Sequence, residues 1–146
     1  MLHPTVSKTD SAPLHYNRGL DLAAAGKVQQ AIVELRVASR LDLKDADALC
    51  EIGRLEIDEG RLLSAARILD EALSRDSRHA AAMNNRGVVN FLSGKFEEAA
   101  ECFRSAVDFN PEMADAWFNL ADTCEELGMM DERDKAHLRF QALRGK

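Results

Sequence analysis

Apolar residues return at helical spacing along this chain, in short blocks broken by glycine, and not in strict alternation. The stretch from Ala80 to Met113, AAAMNNRGVVNFLSGKFEEAAECFRSAVDFNPEM, shows this most fully and reads as two amphipathic helices back to back. Large apolar residues recur at one site as Leu35, Leu69 and Phe103, and at another as Leu49, Met83 and Trp117. The pattern predicts eight helices, near 13–25, 28–42, 46–59, 62–75, 80–93, 96–109, 113–127 and 130–143. Ser11 suits the cap of the first and Pro13 its opening turn. Residues 1–11 are polar, lack periodicity and are expected to form a flexible tail.

Small residues punctuate the helices on a fixed period. Gly26, Gly60, Gly94 and Gly128 stand 34 residues apart. A second series, Gly19, Gly53, Gly87 and Ala121, keeps the same spacing, as do Ala31, Ala65 and Ala99 until Arg133, and Ala38, Ala72 and Ala106 until Phe140. A period of this length means stacked supersecondary units, each too small to bury its apolar face alone. The Gly19 series lets a second helix approach the first closely. The Gly26 series permits the positive φ that turns the chain between helices.

These residues resemble the tetratricopeptide repeat. Gly87, Ala99, Phe103, Ala106 and Pro111 of the third unit match that motif almost fully, and the fourth opens with its tryptophan, Trp117, followed by Leu120. The resemblance covers Ala12 to about Arg144. It implies an all-α solenoid of four helix-turn-helix repeats with a right-handed superhelical twist. The units are 12–45, 46–79, 80–113 and 114–146, in one array. His15 and Arg18 depart from it in the first unit, Glu56 and Asn90 stand where its tyrosine is usual, and Arg133 and His137 break the fourth. The charged run Asp131, Glu132, Arg133, Asp134, Lys135 and Arg139 gives that last unit the polar outer face of a cap.

Composition narrows the function classes. The formal charge of −6 offers no basic stripe for a nucleic-acid backbone. Nothing approaches the length needed to span a membrane, and the opening MLHPTVSKTDSAP lacks the basic and apolar regions of a signal peptide. Cys50, Cys102 and Cys124 are odd in number and not closely paired, which favours a reducing, cytoplasmic setting. His3, His15, His79 and His137 are scattered, so no metal site or cofactor is expected.

On the first helix of each unit, a residue two positions before the close-packing glycine lies about 200° around the axis and faces away from that packing. The four outward stripes are Pro13, Asn17, Leu20 and Ala24; Asp47, Glu51, Arg54 and Asp58; Ala81, Asn85, Val88 and Leu92; and Asp115, Asn119, Asp122 and Glu126. In the family resembled, this stripe lines a concave groove. Asn17, Asn85 and Asn119 share one position, with Glu51 between them. Each amide offers a donor and an acceptor to a peptide backbone, so a ladder holding an extended segment is expected. The competing expectation is that the amides bond neighbouring helices within the array.

Tyr16, Leu20, Arg54, Val88, Phe91 and Phe118 would form the groove walls, and Asp122, Glu125 and Glu126 would close it with negative charge. The partner segment is thus expected to carry apolar anchors and a basic portion near the fourth unit. Cations that would clamp a terminal carboxylate, as in the family's chaperone-tail binders, are missing: Tyr16, Leu20, Glu51 and Ala81 stand instead. The function expected is a non-enzymatic adaptor for protein partners. A self-assembling scaffold and, more weakly, a thiol-dependent enzyme are the alternatives; Cys50 would lie at the groove mouth, although burial as a small hydrophobe is the commoner fate of such a residue.

Overall fold

A computed structural model describes residues 11–145, so the expected tail lies, but for Ser11, outside the described residues. The elements are α1 (Ala12–Ala24), α2 (Val28–Leu41), α3 (Asp47–Asp58), α4 (Leu62–Arg75), α5 (Ala80–Leu92), α6 (Phe96–Phe109), α7 (Ala114–Glu126) and α8 (Met130–Arg144). Every end falls within one residue of the helices read from the pattern. Ser11 Oγ accepts the Leu14 amide at 3.3 Å, with Pro13 in the first turn.

Each hairpin turns the same way. Gly26, Gly60, Gly94 and Gly128 have φ of 77, 78, 76 and 72°. The amide of the next residue bonds five carbonyls back: Lys27 to Leu22 at 2.9 Å, and Arg61 to Glu56, Lys95 to Asn90 and Met129 to Cys124, each at 2.8 Å. This six-to-one bond ends a helix cleanly where a glycine supplies the left-handed residue. Within each pair the close approach is real. A Cβ on Gly19, Gly53 or Gly87 would lie 2.6 Å from Leu35, 2.5 Å from Leu69 or 2.6 Å from Phe103.

The buried residues fall into two clusters that meet on α5. Ala82 and Val89 belong with the core of α2–α4, while Met83, Val88 and Phe91 pack on the core of α6–α8. First helices touch one another across pairs, α3 with α5 and α5 with α7. Second helices are spanned by ion pairs between long side chains instead, Arg36 with Glu71 at 3.3 Å and Arg104 with Glu132 at 2.7 Å. Crowded first helices and bridged second helices curve an all-α repeat solenoid with the first helices inside. In α8 only Ala136 is buried. Arg133 and His137 stand where small or large apolar residues fill the other pairs, which leaves α8 with a polar face.

Candidate inner groove

The inner stripe is open in its outer turns and engaged at its middle. Asn17, Arg54, Asp122 and Glu126 are exposed, and Leu20, Glu51, Asn85, Val88 and Asn119 are half-buried. Asn85 Nδ2 lies 3.5 Å from Cys50 Sγ, and Asn119 Nδ2 donates to Asn84 Oδ1 at 3.1 Å. Both contacts join residues 35 apart, one more than the repeat. The same offset sets Glu51 against Tyr16, where its charge, after burial, pushes the phenol upward. The residue following each of Tyr16, Cys50 and Asn84 in register, one repeat on, therefore forms the seam between pairs. Among the described residues no helical pair precedes α1, and Asn17 is exposed.

That seam bears on the amide ladder directly. Two of the three amides bond across repeats, so each brings only its remaining polar capacity to the groove. Cys50 is 4% exposed beneath Asn85, packed as a small apolar residue and not open at the groove mouth. Burial pushes its thiol up to about 12, and Cys124 up to about 11, while Cys102 is also raised. All three cysteines are free thiols, and in each burial disfavours the thiolate.

Four of the expected groove residues meet at one place. Val88, Phe91, Asn119 and Asp122, with Phe103 beneath them, line a cavity of about 60 Å³ between α5 and α7. The 34-residue register marks Phe103 as core and carries no sign that its ring also lines this opening. Burial raises the Asp122 carboxyl, Glu125 raises it further and His137 opposes both. The other expected residues lie elsewhere. Tyr16 borders a cleft of about 150 Å³ with Pro13, Asp42, Asp45 and Asp47. Arg54 is held by Glu51 at 2.9 Å and Asp58 at 3.4 Å. Phe118 stacks obliquely on Phe140, ring centres 5.2 Å apart. No grouping of histidine, cysteine and carboxylate fit for a metal ion occurs among the described residues.

Comparison with known proteins adds the family. The tetratricopeptide-repeat pattern matches residues 50–113 and 93–132, more than half of the chain. The chain belongs to the tetratricopeptide repeat family. Such arrays are protein-interaction scaffolds, and the module is generally non-catalytic. Residues of this tetratricopeptide array are 28% identical over 139 residues to a probable UDP-N-acetylglucosamine–peptide N-acetylglucosaminyltransferase SPINDLY of Hordeum vulgare, covering 89% of the chain and 15% of that protein. They are 35% identical over 97 residues to tetratricopeptide repeat protein 8 of Caenorhabditis elegans, covering 65% of the chain and 19% of that protein. The chain thus spans under a fifth of the curated relatives it matches. Among solved structures, MamA superposes with a TM-score of 0.79 over 95% of the chain and 81% of its own, at 19% identity. That likeness is one of fold.

Proposed function

We propose that the array is an adaptor that holds an extended segment of a partner protein along its inner groove. The supporting observation is the convergence of Val88, Phe91, Asn119 and Asp122, from two successive first helices, on one cavity of the inner face. A cavity of this kind, apolar in its walls and polar at its rim, takes a side chain in a chosen orientation. Asn17, Leu20, Arg54, Phe118 and Glu126 extend the surface to either side, and Asn85 and Glu51 stiffen it. The carboxylates of α7 favour a partner whose basic portion lies at the fourth repeat, with apolar anchors toward the first. Three free thiols suit a reducing compartment, the cytoplasm.

The test is selection of displayed random peptides on the intact chain, followed by binding to a triple variant, Leu20→Asp, Arg54→Glu and Asp122→Lys. Selected peptides are expected to lose at least about tenfold in affinity, since inner-face contacts are removed together. Peptides that bind the variant unchanged would place recognition on another face and remove the reading.

A second reading rests on the end of the array. Phe118 is 42% exposed, whereas Cys50 and Asn84, its equivalents, are at most 9% exposed under the next pair. Met129 and Met130 are also open there. A further copy could cover this end, making the array a homo-oligomeric scaffold. Light scattering at micromolar concentration decides it: a strict monomer leaves the adaptor alone.

A further inference from the structure

We infer that the cavity between α5 and α7 is a subsite for one lysine side chain of the bound segment. The inference rests on the groove reading and names what that part of the groove selects. Val88, Phe91 and the ring of Phe103 give an apolar lining, and about 60 Å³ is the room of roughly two water molecules. An unbranched methylene stem enters such a space; an aromatic ring does not.

The rim gives the opening its sign. Asn119 donates one N–H of Nδ2 to Asn84 Oδ1, and its own Oδ1 is an acceptor. Asp122 brings a carboxylate to the same cavity. Asp115, Glu125 and Glu126 add negative charge along α7, a helix with no lysine or arginine. The facing stripe of α5, Ala81, Asn85, Val88 and Leu92, carries no charge. The one cation of α5, Arg86, is bound away by Asp70 at 2.9 Å and Asn90 at 2.9 Å. From α8, Arg133 reaches Glu125 only at 4.0 Å, and His137 lies within electrostatic reach of Asp122.

The site offers a carboxylate and an amide oxygen, and no lysine or arginine of α5 or α7 faces them. Lysine supplies both halves, a stem along the rings and an ammonium at the rim. Its ammonium would donate to Asp122 and to Asn119 Oδ1 while lying near the Phe91 ring face. An ammonium also offsets the burial and, after it, the Glu125 charge that raise the Asp122 carboxyl. Arginine has the charge, but its planar fork finds a single carboxylate and less room than it fills.

The probes are N-acetyl-lysine methylamide, its norleucine isostere and its arginine counterpart, each titrated into the intact protein. Shifts of the Asn119 side-chain amide, the Val88 methyls and the Phe91 ring are read by NMR. The lysine compound is expected to shift all three with millimolar affinity, and Asp122→Asn to weaken it about tenfold. Asp122 is exposed, so the variant folds, and its spectrum verifies this directly. Equal binding of norleucine would overturn the charge requirement, tighter binding of arginine would overturn the choice of side chain, and no shift with lysine would overturn the subsite. None of these outcomes depends on the peptide selection, so loss of the subsite and loss of the groove reading are told apart.

Discussion

At the scale of single residues, close packing is what the repeated glycines provide. Phe103 is 1% exposed and cannot swing aside, and a methyl on Gly87 would meet its ring at 2.6 Å. Gly87→Ala should cost about 2–3 kcal/mol, the usual cost of overpacking, read as a shift in the urea midpoint. The fourth pair shows the same rule from the other side: Ala121 occupies the position because His137, where Phe103 would stand, is exposed. The thiols make a second prediction at this scale. With Cys50 near 12 and Cys124 near 11, native protein at pH 8 should react with a disulfide reagent at these two positions at least about a hundredfold more slowly than in urea. Fast native labelling of Cys50 would mean that Asn85 does not cover it. The residue scale is also where reading from sequence stopped. The glycine and alanine series were plain because they repeat every 34 residues, whereas the seam couples residues 35 apart. That offset sets Asn84 against Asn119, and no helical pattern within one repeat records it.

At the scale of elements, charged residues in family-atypical places tie helix to helix. Glu56, where the family's tyrosine is usual, is buried on α3 and accepts two bonds from Arg61 at the start of α4, 2.8 and 2.9 Å. Those bonds hold its carboxyl below the ordinary carboxylate range. A depressed folded-state value adds stability above the unfolded-state value, and that stability is lost as pH falls through the folded one. Glu56→Gln should therefore lower the urea midpoint at pH 7 and bring variant and parent closer at pH 3. An undiminished gap at pH 3 would assign the effect to packing. Arg75 does comparable work at the end of α4, with Nη1 donating to the carbonyls of Ser39 at 2.7 Å, Asp45 at 3.2 Å and Asp42 at 3.3 Å. It pins the α2–α3 loop from the next repeat. Arg75→Met keeps the stem and removes the donors, and should cost about 2 kcal/mol in the same measurement.

At the scale of the whole molecule, the array is a row of neighbours and not one core. Each pair is supported chiefly by the pairs it touches, so stability is approximately a sum of units and interfaces. The two buried clusters meet on α5, and α8 buries little beyond Ala136 while being held by Arg104 through Glu132 at 2.8 and 3.1 Å. Hydrogen exchange should accordingly be fastest in α8 and slowest in α3–α6, whose two pairs have neighbours on both sides. Gly87→Ala turns that order into a directional test. The strain falls between α5 and α6, and α7 and α8 have no support beyond them among the described residues. Protection should drop in α5–α8 together and hold in α1–α3, whose packing runs through Leu35, Leu49 and Leu69. An equal loss across all eight helices would mean that the clusters act as one cooperative core. In that case the inner groove would respond to a bound segment as a unit. If protection falls only in the second half, a segment seated at Asp122 would stiffen the third and fourth pairs and leave the first unchanged, so the half of the array that carries the cavity would be the half that registers its partner.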